Sequence, residues 1–151
     1  MIRTLSEVEI WNLVDSQLYG HLGCHQDGRT YVVPVSFARD GDRILGLTTD
    51  GLKVQMMRAH PDVCFQIEKV ETLGSWQSAI LWGRFEELAG AERIAATAKV
   101  IDKYGEVFET APAANRRGRD VTPMRLDGRA EPLIAYAIKV TEVSGRCEGE
   151  S

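Results

Sequence analysis

Two hydroxyls, a tight turn and a lysine fall together near the middle of the chain, in Thr48-Thr49-Asp50-Gly51-Leu52-Lys53. The next residues, Leu52 to His60, read as a short helix that Pro61 terminates. A helix N-terminus presents unpaired N–H groups and the positive end of the macrodipole. A lysine in that first turn is electrostatically misplaced unless an anion joins it. Thr48, Thr49 and Lys53 therefore read as a phosphate grip. The competing reading makes Thr49 or Asp50 a plain N-cap and Lys53 a solvated charge, and local features leave both open.

The remaining reactive residues form no catalytic set. His21 and His25 are four apart, but on a strand that spacing separates them by roughly 13 Å, too far to share a metal. His60 sits at a helix end, where a cation suits the dipole. Cys24, Cys64 and Cys147 are odd in number and contain no CxxC pair, so neither a disulfide framework nor a zinc site is expected. No GxSxG, HExxH, GxGxxG or Walker sequence occurs. No metal site and no catalytic residue is named, and any chemistry is expected to belong to a cofactor.

Composition narrows the class further. A chain of 151 residues fits one domain with a real core. A formal charge of −4 argues against nucleic acid as a partner. The N-terminus lacks a signal pattern, and no apolar run reaches membrane-spanning length. The expected setting is cytoplasmic and reducing, with no membrane partner.

The elements that must position the grip are legible in order. Residues 6–17 form a helix, with a Ser6–Glu9 capping box and a Leu5–Ile10 staple. Strand runs are expected at Leu18–His25, Thr30–Ala38, Arg43–Thr49, Val63–Val70, Trp76–Leu88 and Leu133–Val143, with a helix over Ala91–Tyr104 capped by Gly105. Gln26-Asp27-Gly28 is a hairpin turn. Pro34 cannot donate to a ladder, so its strand is an edge or carries a bulge. Gly46 admits a close neighbour. The fifth strand is apolar on both faces around Ala79–Trp82, as a central strand covered on both sides, by this chain or by a second subunit, would be. Residues 110–132 hold three prolines and five arginines and read as a long loop. Within it Arg116, Arg117 and Arg119 are either a solvated charge run or contacts for an anion. Residues 145–151 read as a frayed tail. The expected fold class is mainly β: a six-stranded antiparallel Greek-key split β-barrel with flanking helices, in one domain.

This order of motifs is similar to that of the pyridoxamine 5′-phosphate oxidase-like FMN-binding split β-barrel proteins, in particular the small branch related to nitroimidazole reductases. The match rests on Gly20-His21-Leu22-Gly23, Tyr31-Val32-Val33-Pro34-Val35-Ser36-Phe37, the hydroxyl pair with Gly51 and Lys53, and His60-Pro61-Asp62-Val63-Cys64-Phe65. Trp76-Gln77-Ser78-Ala79 with Gly83-Arg84, and Ile138 to Gly145, complete it. The resemblance implies a homodimer with FMN at the subunit interface. It lays Val33, Pro34, Val35 and Ser36 along the flavin ring and Thr48, Thr49 and Lys53 on its phosphate. It brings Ser78 and Ala79, with Trp76, near the flavin.

Departures narrow what is carried over. The basic and aromatic C-terminal substrate segment of true pyridoxamine phosphate oxidases is not found, Leu47 stands where a histidine is common before the hydroxyl pair, and His21 stands where an arginine is common. The resemblance thus implies an FMN-dependent oxidoreductase passing electrons from NAD(P)H to a small-molecule substrate. The alternatives are a non-catalytic flavin carrier or sensor, and a split barrel holding haem or another planar ligand.

Overall fold

A computed structural model describes residues 1–110 and 133–149, without side chains for 106–110. The elements are β1 (Arg3–Thr4), α1 (Glu7–Ser16), β2 (Tyr19–Gln26), β3 (Arg29–Ser36), β4 (Ala38–Asp40), β5 (Arg43–Thr48), α2 (Leu52–Ala59), β6 (Asp62–Thr72), β7 (Ser75–Glu87), α3 (Gly90–Thr110) and β8 (Ile134–Glu148). The strands form one antiparallel sheet in the order β3-β2-β6-β7-β8-β5-β4, with β1 added on β8. The sheet curls around a core that includes Leu22, Phe37, Phe65, Ile67, Leu81 and Ile138. Its two ends, β3 and β4, are not paired to each other. This is a Greek-key split barrel, with two short strands more than the six expected. No helix among the described residues is long and apolar enough to cross a membrane.

Local chemistry explains the frame. The β2–β3 turn is the two residues Asp27 and Gly28, with φ of 50° and 76°, and both positive values suit the twist of a tight hairpin. Alternation in β3 turns Tyr31, Val33, Val35 and Phe37 inward and leaves Val32 and Pro34 exposed. β3 ends the sheet, so Pro34 does lie on an edge. Gly46 faces Tyr136 across β5–β8, and a Cβ there would come within 2.3 Å of the phenol ring. The close neighbour anticipated at Gly46 is therefore a core side chain.

Two expectations are corrected. The tail is not frayed from Gly145: β8 runs to Glu148, held by β7 on one side and β1 on the other, and Cys147 is buried. Gly105 does not cap α3, which continues to Thr110. The outer face of β7 is open in the single chain, with Ile80 and Trp82 each 38% exposed, so the described residues of this chain do not supply the second cover expected there. The long loop expected at 110–132, with Arg116, Arg117 and Arg119, lies outside the described residues beyond Thr110.

α1 is capped as expected. The Ser6 hydroxyl accepts from the Glu9 N–H at 3.2 Å, and the Glu9 carboxylate accepts from the Ser6 N–H at 2.7 Å. Arg3 grips the same carboxylate at 2.8 Å. The Arg3 guanidinium above all, and then the Ser6 N–H, hold the Glu9 carboxyl down to about 2. A depressed carboxyl stabilises fully above its unfolded value and loses that contribution as pH falls through the folded one. Ser6→Ala is expected to cost about 1 kcal/mol. Acid titration of wild type and Glu9→Gln between pH 4.5 and 2 checks the pair: only the wild type should lose stability through this cap.

Candidate functional site

The grip sits where β5 hands over to α2. Thr48 closes β5, is 6% exposed, and donates its hydroxyl to the Thr49 carbonyl at 3.2 Å. Asp50 turns its carboxylate to Arg58 at 3.4 Å, away from the helix end. Gly51 is the N-cap, and no side-chain bond caps it. The reading of Thr49 or Asp50 as N-cap is thereby corrected: Asp50 is engaged elsewhere and Thr49 is exposed. The first intrahelical bond runs from the Gln55 N–H to the Gly51 carbonyl at 3.1 Å, so the N–H groups before Gln55 face outward from the helix end.

Lys53 stands in this first turn and is half-buried. Burial pulls its ammonium below the usual lysine range, opposed only by the Cys24 thiol, and no carboxylate of the described residues acts on it. A solvated lysine would show neither feature. A half-buried cation at the positive end of a helix, next to two hydroxyls, is a place for an anion.

The expected ring wall divides by face. Val35 and Ala79 are buried, Val33 is half-buried against the core, and Pro34, Ser36 and Ser78 occupy the outer positions. Pro34 is directly opposite His21, His21 opposite Gln66, and Gln66 opposite Ile80. Along this row the His21 ring Nδ1 lies 3.1 Å from Gln66 Oε1, and Gln66 donates its amide to the Ser78 hydroxyl at 3.3 Å. His21, Gln66 and Ser78 thus form a polar chain across β2, β6 and β7, with Pro34 on β3 in register beside His21. Trp76 is not part of it: its indole N–H goes to Glu148 at 3.2 Å at the β6–β7 hairpin end, roughly 13 Å along β7 from Ile80.

β3 and β5 approach each other across the split. Cys24 on β2 links the two halves, facing Tyr31 on β3 and donating its thiol to the Met56 sulfur of α2 at 4.0 Å. The β2–β3 hairpin is thus packed against α2 through Cys24. A separate outer cleft of about 810 Å³ is lined by Val32, Cys64, Trp82 and Arg84, and none of the expected site residues line it.

Sequence reasoning missed the His21–Gln66–Ser78 chain and the Cys24–Lys53 neighbourhood. The first carried a partial signal, since Gln66 alternates outward. Which residue it faces depends on strand register, which no local pattern encodes. The His25 and His60 ring centroids lie 5.1 Å apart with the planes tilted by 30°, a contact between β2 and the end of α2 with no sequence signature. Among the described residues no cluster suits a metal ion.

The sequence model of the family described as pyridoxamine 5′-phosphate oxidase matches residues 6–147. The chain belongs to the pyridoxamine 5′-phosphate oxidase family. A family relative from Rhizobium meliloti (strain 1021) is 28% identical over 99% of this chain and 98% of its own. An FAD-binding protein from Mesorhizobium loti is 25% identical, with a TM-score of 0.77 over 99% of this chain and 98% of that one. A candidate 5-nitroimidazole antibiotic resistance protein from Bacteroides thetaiotaomicron is 17% identical, with a TM-score of 0.70 over 97% and 89%, and shares the fold. For a pyridoxamine 5′-phosphate oxidase family member, the glycines of the Gly20–Gly23 motif have a packing reason: a Cβ at Gly20 would land 1.9 Å from the Phe65 ring.

Proposed function

We propose that this protein is a flavin-nucleotide oxidoreductase that works as a homodimer and takes electrons from NAD(P)H to a small acceptor. The carrying observation is Lys53: half-buried, its pKa lowered by that burial, unmatched by any carboxylate of the described residues, and set at a helix end that no side chain caps. An FMN phosphate supplies the missing charge, with Thr48 and Thr49 beside it. Pro34, Ser36 and Ser78 offer a wall for the ring, and backbone groups of Val33, Val35 and Ala79 belong to the same strands. The flavin supplies the electron and hydride chemistry when bound. The chain holds and orients it. The FAD-binding relative from Mesorhizobium loti supports a flavin as the ligand class.

The exposed outer residues Val32, Ile80 and Trp82 support the dimer, since together they leave an apolar patch on the sheet. Sedimentation should give twice the chain mass, and a monomer would remove the interface from the proposal. The absorption spectrum of the purified protein is the primary test. Flavin bands, retained or regained on adding FMN or FAD, are expected. A Soret band, or a protein that takes up neither flavin, overturns the reading. Anaerobic addition of NADH or NADPH should bleach the bound flavin, and an unbleached spectrum would leave a carrier rather than an enzyme.

A further inference from the structure

We infer that His21 is the proton donor of the reaction: it protonates the small acceptor as that acceptor is reduced, and Gln66 is its positioning residue. This rests on the oxidoreductase reading above and adds to it the proton that a two-electron reduction consumes.

Placement comes from strand register. Every second residue of a strand shares a face, which puts His21 of β2 among the outer residues offered as the ring wall. Pro34 is directly opposite it on β3, and Ser36 is opposite Tyr19 in the neighbouring row. Ser78 of β7 is opposite Glu68 of β6. Directly opposite side chains start from Cβ atoms about 5 Å apart, so the imidazole is within reach of a ligand resting on Pro34. His21 thus stands inside the wall, between Pro34 and Ser78.

Its hydrogen bonds decide which nitrogen holds the labile proton. The Gln66 amide nitrogen lies 3.4 Å from the Glu68 carboxylate and 3.3 Å from the Ser78 hydroxyl. A carboxylate only accepts, so the Gln66 NH2 points there and its Oε1 is turned to His21. Oε1 also only accepts, so the His21 Nδ1 at 3.1 Å carries a hydrogen. The neutral ring is then the Nδ1–H form, and the proton that comes and goes sits on Nε2. No hydrogen bond of the described residues reaches that nitrogen. Of the three histidines, His21 alone has a ring nitrogen held by another side chain among the described residues.

The step balances. The acceptor gains a hydride, supplied by NAD(P)H in the reaction as a whole, and negative charge develops on its oxygen or nitrogen. The His21 Nε2–H bond breaks as a bond from that proton to the charged atom forms. The neutral imidazole keeps its Nδ1–H on Gln66. Solvent returns the proton, because the ring is only half-buried. An acceptor that takes single electrons and no proton gains nothing from His21.

The test uses the full-length, FMN-loaded protein, reduced with dithionite and mixed anaerobically with an acceptor. Oxidation by para-benzoquinone, which takes up a proton, should be about 100-fold or more slower in His21→Gln than in the wild type. Oxidation by ferricyanide, which takes none, should be unchanged, as should the melting temperature. Imidazole nitrogen NMR of the ligand-free protein at alkaline pH supplies a readout independent of turnover. His21 should show the Nδ1–H form in the wild type and lose that preference in Gln66→Leu. Equal slowing with both acceptors, no slowing with the quinone, or an Nε2–H form in the wild type overturns the assignment of His21 and leaves the flavin reading standing. A protein that takes up no flavin overturns both.

Discussion

Lys53→Ala should weaken FMN binding by about 10- to 150-fold while leaving riboflavin binding as it was. Removing a charge-assisted contact to a phosphate costs roughly 1.5–3 kcal/mol, which converts to that range of dissociation constants. Riboflavin lacks the phosphate, so it reports on the ring wall alone. A parallel loss for both ligands would mean that Lys53 acts through the fold, and no loss for FMN would dismiss the grip.

The same lysine sets a pH dependence. In the ligand-free protein burial lowers its pKa from 10.5, and a bound phosphate favours the protonated form. FMN affinity should therefore be fullest below the lowered value and fall as alkaline pH passes through it, with proton uptake on binding in that window. In Lys53→Ala this alkaline limb should be missing.

Gly83→Ala should be the most damaging single-methyl change for the fold. A Cβ at Gly83 would stand 2.4 Å from the Lys139 carbonyl oxygen and 2.8 Å from Ile138 Cγ2. The obstacle is backbone of the paired strand, which has no rotamer to change. Gly83 also sits where the β7–β8 register shifts after Trp82, and Thr141 donates to the Trp82 carbonyl across that irregularity at 3.3 Å. These are the two longest strands, so displacement there propagates through the sheet. Overpacking of this kind costs about 1–3 kcal/mol and sometimes more. Gly74→Ala is the control: nothing lies within 4 Å of its Cβ position, and it should stay within about 0.5 kcal/mol of wild type. Urea denaturation of the three proteins decides the matter. A Gly83→Ala midpoint equal to that of Gly74→Ala would show that the strands yield.

What was readable in the chain, and what was not, follows physical lines. The Ser6–Glu9 cap, the Asp27-Gly28 turn and the inward residues of β3 are local features, written in a few neighbouring residues. So was the juxtaposition of Thr48, Thr49 and Lys53. The identity of the N-cap was not, because Asp50 is drawn away by Arg58, eight residues on. The end of β8 was misread for a related reason: Gly145 to Glu148 is polar and glycine-containing, and becomes strand only through β1 and β7 on its flanks. Gly145 looks like a breaker, yet its bare Cα lets Leu5 and Ile10 close over it, at 3.0 Å from a Cβ position. Extending α3 past Gly105 is likewise invisible to a rule that treats glycine as a stop.

Pro34 has a second consequence. Arg29–Ser36 is an exposed sheet edge rich in β-branched and aromatic residues, Thr30-Tyr31-Val32-Val33-Pro34-Val35. Such an edge is a template on which a foreign strand can form a continuous ladder. Proline at its midpoint deletes one donor and interrupts that template. The residue placed along a flat ligand by resemblance therefore also guards the protein against edge-to-edge aggregation, and replacing it by a strand former to reshape the wall would expose an unbroken run from Thr30 to Val35 to chance partners.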